Sequence, residues 1–188
     1  MAYRFDESCF AIDDPELNIA FSETTSDCLF KETTDDNGAL IFKTAYHGPH
    51  LHGPSYTYFS DGSQASERWF YNGLAHGHCL EYTPSGTLIA QRGYVQGRLE
   101  GPYLRWHPNG TMQLSGRFHL GLAEGLFQVF HTDGKILRST SFSNGRRHGY
   151  DIGWTDDGYL LFCELWNEGK RTRTILQDIM ARNLGLPG

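Results

Sequence analysis

The stretch GHCLEYTPSGTLIAQRGYVQGRLEG, residues 77–101, is one full period of the pattern that decides the fold. It opens on Gly77 and closes on Gly101, with Gly86 nine residues in and Gly97 eleven further on. The same marks recur in both directions. Starting glycines stand at Gly53, Gly77, Gly101, Gly125 and Gly149, second glycines at Gly62, Gly86, Gly110, Gly134 and Gly158, and third glycines at Gly73, Gly97, Gly121, Gly145 and Gly169. The 24-residue period is therefore held five times without an insertion. Aromatic residues keep the same beat: Tyr58, Tyr82, Trp106, Phe130 and Trp154 form one set, and Phe70, Tyr94, Phe118, Phe142 and Trp166 a second. A sixth, degenerate unit is traceable over residues 29–52 through Gly38, Tyr46 and Gly48. Self-similarity at such a period is the signature of a repeat protein.

Each unit reads as a β-hairpin. Short aromatic-rich segments such as His78–Tyr82 and Phe127–Phe130 run into Ser-Asp-Gly62, Pro-Ser-Gly86, Pro-Asn-Gly110, Thr-Asp-Gly134 or Asp-Asp-Gly158. A small polar residue followed by glycine supplies the positive φ that a tight hairpin or a G1 bulge needs. A second strand follows, as in Thr87–Tyr94, and ends at a second turn such as Asn-Gly73 or Asn-Gly145. The expected fold is thus an all-β repeat array, an elongated antiparallel meander of five to six hairpins, with the regular units over residues 53–170.

The ends depart from the period. Residues 1–28 carry Tyr3, Phe5, Phe10, Ile12, Leu17, Ile19 and Phe21 around Pro15, which suggests one or two strands capping the array. Residues 171–188 place Ile175, Leu176, Ile179, Met180 and Leu184 at helical spacing before Gly185 and Pro187, which predicts a C-terminal helix as the second cap.

The formal net charge is −6, and it is uneven. Met1 to Asn37 holds ten acidic residues against Arg4 and Lys31, a net of −8. Such a leader repels phosphates, which argues against nucleic acid or an anionic membrane as partner, and it suits a basic protein. The start lacks a basic n-region and a long apolar run, so the sequence suggests a cytoplasmic protein. Cys9, Cys28, Cys79 and Cys163 have no matched spacing and read as structural thiols rather than a disulfide framework or a zinc site.

The units resemble MORN repeats, and more closely the MORN-variant repeat of the YwqK-type antitoxin family. The resemblance rests on an aromatic strand, x-Asp/Asn-Gly, a second strand, an aromatic, then Asn-Gly-x-x-His-Gly. Tyr58-Phe-Ser-Asp-Gly62 with Phe70-Tyr-Asn-Gly73-Leu-Ala-His-Gly77 is one instance, and Phe142-Ser-Asn-Gly145-Arg-Arg-His-Gly149 another. What the resemblance implies is an antitoxin or immunity-type protein that neutralises a toxin or effector domain by direct binding, or else a non-inhibitory scaffold that tethers proteins or a membrane surface.

If the registered aromatics form the core, function lies on the alternate face. Its first-strand residues are Ser55 and Thr57, Cys79 and Glu81, Tyr103 and Arg105, Phe127 and Val129, Asp151 and Gly153. With uninterrupted alternation in the second strands, Trp69, Ile89 and Leu137 join them. The expected partner-binding patch is therefore Trp69, Tyr103, Phe127, Val129 and Leu137, rimmed by Glu81, Arg105 and Arg117, with the aromatic and arginine content of protein interfaces. No Gly-x-Ser-x-Gly and no P-loop are present, no cysteine is matched to an acid or histidine at a catalytic spacing, and His47, His50 and His52 lack an Asp or Cys at a recognisable ligand spacing. The sequence points to a protein without cofactor, metal or catalytic activity.

Overall fold

A computed structural model describes residues 28–176. The chain divides into two compact units, Met1–Pro102 and Tyr103–Gly188. The described part of the first unit contains β1 (Leu29–Thr34), β2 (Leu40–His47), β3 (His50–Tyr58), β4 (Gln64–Tyr71), β5 (Leu74–Tyr82) and β6 (Leu88–Val95). The unit boundary falls inside β7 (Arg98–Trp106). The second unit continues with β8 (Met112–His119), β9 (Leu122–Ala123), β10 (Gly125–Phe130), β11 (Ile136–Ser143), β12 (Arg146–Trp154), β13 (Leu160–Asn167) and β14 (Lys170–Thr174). Within each unit the strands pair antiparallel in chain order, the short β9 lying off the path on β8. The expected meander of hairpins is what each unit forms.

Two kinds of turn repeat. In the first, Phe59 N–H donates to Ser63 O at 2.8 Å and Gly62 N–H donates back to Phe59 O at 2.9 Å. Gly62 sits at φ 83° while Asp61 Oδ1 accepts the Ser63 N–H, a type I turn closed by a G1 bulge. The second turn has two residues, both left-handed: Asn72 at φ 47° and Gly73 at φ 84°, between the paired Tyr71 and Leu74. That is a type I′ hairpin, in which an Asn-Gly pair fits without strain.

One further irregularity decides which way the side chains point. Thr57 pairs with Ser66 and Tyr58 with Gln64, so Ala65 is an extra residue in β4. Ile89 in β6, Leu137 in β11 and Leu161 in β13 are extra at the corresponding places. A bulge shifts the phase of a strand by one residue, and one residue exchanges its two faces. The two aromatic sets therefore do not share one face. Phe70 stands opposite Gly53, on the face of Ser55 and Thr57, whereas Tyr58, adjacent to Thr57, turns to the other face with Tyr56 and its partner Glu67. The expectation of a single aromatic core face is corrected accordingly.

Stability is accordingly spread over cross-strand contacts on both faces. Among the described residues the buried apolar side chains include Ala45, Cys79, Leu80 and Ala90, with His52, Ser66, His76, Thr140 and Asp151 as buried polar ones. Neighbouring hairpins are tied at their type I′ turns. Gly73 N–H donates to Leu51 O, Gly97 N–H to Ala75 O and Gly145 N–H to Ala123 O. The residue before Gly53, Gly77 and Gly125 adds a side-chain clasp: His52 Nδ1 bonds Asn72 Oδ1, His76 Nδ1 accepts from Gln96 N–H, and Glu124 accepts from Asn144 N–H.

The C-terminal helix does not begin at Arg171. Lys170–Thr174 is strand, pairing with β13 through Glu164–Thr174 and Leu165–Arg173, and Thr172 Oγ1 donates to Leu165 O. The alternating Thr and Arg residues extend the sheet because β13 would otherwise end with its backbone groups unpaired. Ile175 and Leu176 turn helical at the end of the described residues, and the remainder of that predicted helix, residues 177–188, and the predicted N-terminal strand cap over residues 1–27 lie outside them.

Candidate functional site

In the first unit the face of Ser55 and Thr57 is polar. Thr44 and Ser55 hydroxyls lie 2.9 Å apart and those of Thr57 and Ser66 2.7 Å apart. Ser55, Thr57 and Ser66 floor an open hollow of ≈ 530 Å³ walled by Phe42, Phe70 and Ile89, with Arg68 and Glu81 at its side. Arg92 donates to Glu81, and Arg68 approaches the same carboxylate at 3.8 Å.

Trp69 is on the opposite face, paired with Pro54 next to the Tyr56–Glu67 pair. The Ala65 bulge is the reason. Glu67 accepts hydrogen bonds from Trp69 Nε1 at 2.8 Å and from His78 at 2.9 Å, which hold its carboxyl below the ordinary range despite partial burial. Burial, then the Glu67 charge, raises the Tyr82 phenol, and Tyr56 is raised in the same way with a smaller push from Tyr58.

In the second unit, Tyr103 and Phe127 do come together, through Phe118, one of the aromatics that keep the repeat period. Tyr103 meets Phe118 with ring centroids 5.4 Å apart, Phe118 meets Phe127 at 5.4 Å, and Phe127 meets Phe142 at 5.2 Å. All three contacts are edge-on, the geometry aromatic quadrupoles favour. Gly116 makes the row continuous, because a Cβ there would lie 2.3 Å from the Phe127 ring. Val129 belongs to the same face through its pairing with Leu114 and Arg138. Alternation from Tyr103 puts the exposed Arg105 there too.

Two predicted members fall away from this patch. Arg117 lies between Gly116 and Phe118 in β8, so alternation turns it to the other side. Leu137 is the bulged residue of β11, with no direct opposite number. Glu81 and Trp69 belong to the first unit.

Beside the row lies an ionic cluster that sequence reasoning missed. Asp151, 1% exposed, accepts from Arg138 Nε at 2.9 Å and Nη2 at 2.7 Å and from Thr140 Oγ1 at 2.9 Å. Arg147 approaches it at 3.4 Å. Burial alone would push the Asp151 carboxyl up, but these hydrogen bonds and the two arginine charges hold it below its ordinary value. Arg138 stacks over Phe162 at 5.5 Å and Arg147 over Trp166 at 4.6 Å. Glu164 continues the pattern, accepting from Arg171 at 2.7 Å and Trp166 Nε1 at 3.1 Å. Asp151 occupies the repeat position of Phe127 and Arg138 that of Leu114, so a charged pair where the unit before each holds an apolar residue was the available signal.

Hairpins joined by type I′ turns and clasped to one another define a β-hairpin repeat protein. Residues 123–144, which span β10 and β11 with their connecting turn, match the family model described as MORN repeat variant. No curated protein matches the chain.

Proposed function

We propose that this chain is a binding protein that takes a partner protein on the face bearing Tyr103, Phe118, Phe127 and Phe142 and neutralises it by covering it, as antitoxin and immunity proteins do. The observation that carries the reading is the row of four rings in mutual edge contact, on a face that no other described element of its unit covers. Aromatic rings offer large contact area with little side-chain entropy to lose, and tyrosine and arginine dominate interface energetics. Pinned arginines next to the rings add oriented donors. The means is occlusion, in which a sheet held by repeated backbone clasps covers the partner's working surface and no bond is made or broken. The resemblance to YwqK-type antitoxins directs the reading towards a toxin or effector domain as that partner.

The test is to capture the partner from the native cell with the tagged chain, purify it, and assay its own activity against increasing amounts of the chain. Activity should fall in proportion and vanish near equimolar ratio. Phe127→Ala should weaken binding by about 2 kcal/mol or more while the far-ultraviolet dichroism is kept. A partner that binds tightly yet keeps its activity would overturn neutralisation and leave a tethering scaffold. Unchanged affinity of Phe127→Ala would move the site off this face.

A further inference from the structure

The net charge of the chain, −6, suggests a basic partner, but the row's own face is charged the other way. Its two strand carboxylates are sunk into the sheet floor: Asp151 is 1% exposed and Glu164 15%. The guanidinium groups that neutralise them stand above the floor, Arg138 at 41%, Arg147 at 38% and Arg171 at 57% exposure. Arg105, two residues along β7 from Tyr103, is exposed as well. Among the described residues the unit's other acidic side chains, Glu124, Asp133, Asp156, Asp157 and Glu168, lie in the connections between strands. An approaching partner therefore meets cations first.

Those cations are also pre-set. Arg138 is held by two hydrogen bonds to Asp151 and rests on Phe162; Arg147 rests on Trp166. Ordering entropy that a free arginine would lose on binding has been lost on folding. A planar guanidinium fixed in this way suits a carboxylate, which it can receive through two parallel N–H donors. We infer that the partner surface seated on this face is acidic, placing Asp or Glu side chains on Arg138, Arg147 and Arg105 and apolar side chains against the aromatic row. This rests on the reading that the row is the docking face.

The probe is a library of random peptides displayed on phage, selected on the immobilised full chain at low salt. Enriched peptides should combine Asp or Glu with aromatic or aliphatic residues. Their affinity, read by calorimetry, should fall on the order of tenfold with Arg147→Gln and fall again at high salt. Arg147→Gln leaves the Arg138 fork on Asp151 intact, and Arg105→Gln, at an exposed position, serves as the second variant. Peptides that need Phe127 but are basic or neutral, and ignore both arginine variants, would overturn the charge assignment while sparing the docking face. No enrichment, or enriched peptides indifferent to Phe127→Ala, would overturn the docking face and this inference with it. A single-stranded oligothymidylate that displaces the peptides at comparable concentration would overturn the protein class of the ligand.

Discussion

Asp151→Asn is the most informative single change, because the side chain is nearly isosteric and only the charge and one acceptor are lost. Asp151 receives three hydrogen bonds, at 2.9, 2.7 and 2.9 Å, and a second guanidinium at 3.4 Å. The asparagine oxygen can keep Arg138 Nε and Thr140, but its amide nitrogen would then face Arg138 Nη2, donor against donor. One charge-assisted bond is lost, about 1.5–3 kcal/mol, together with the attraction to Arg147. A fully buried pair broken in this way costs about 3–5 kcal/mol. Here both arginines are more than a third exposed and recover hydration. The balance is about 2–3 kcal/mol. Glu164→Gln removes a comparable contact whose arginine, Arg171, is 57% exposed, and should cost about 0–1 kcal/mol.

Amide hydrogen exchange of β11 and β12 is the assay, since repeat arrays open locally and a single melting curve averages over them. The pH dependence supplies a second check. A carboxyl held below its ordinary value contributes stability that is present above the unfolded-state value and is lost as pH falls through the folded one. Asp151→Asn should flatten that acid limb for β11 and β12. Equal losses for Asp151→Asn and Glu164→Gln, or a loss under about 0.5 kcal/mol for the former, would refute the assignment of Asp151 as the buried anchor of the cluster.

Three further outcomes are expected. Gly116→Ala drives a Cβ to within 2.3 Å of the Phe127 ring and should destabilise by about 1–3 kcal/mol; adding Phe127→Leu should recover part of the loss in a double-mutant cycle. Leu120 holds φ 50°, where the equivalent residues are Asn72, Gln96, Asn144 and Glu168, so Leu120→Gly should stabilise by about 1 kcal/mol by thermal unfolding. Glu67, held low by His78 and Trp69, stabilises its unit above the ordinary carboxylate range and loses that contribution as pH falls. Fluorescence from Trp69 should report a transition there that Glu67→Gln removes.

Much of the architecture was legible because glycine at positive φ cannot be hidden. Asp61-Gly62 and Asn72-Gly73 announce their turns through residue chemistry alone, and a fixed spacing repeats them. The site was legible in part. Tyr103, Arg105, Phe127 and Val129 share a face, as first-strand alternation implies, whereas Arg117 does not join them; within its own unit Trp69 turns away from the face of Ser55 and Thr57. Ala65 and Leu137 carry no local mark of being extra residues, since a bulge at that point is defined by what the neighbouring strand offers for pairing. Asp151 likewise looks like a surface carboxylate until Arg138, Thr140 and Arg147 are brought round it from two strands.

The sequence by itself determined the period, the hairpin, the places of its turns and the strand direction, all of which are set by interactions within a dozen residues. Only the tertiary structure decided the phase of each second strand, and with it which aromatics share a face. Phase depends on inter-strand register, and a slip of one residue reverses every side chain after it. The charge met by a partner was decided there too, because burial hides Asp151 and Glu164 while leaving their arginines in view.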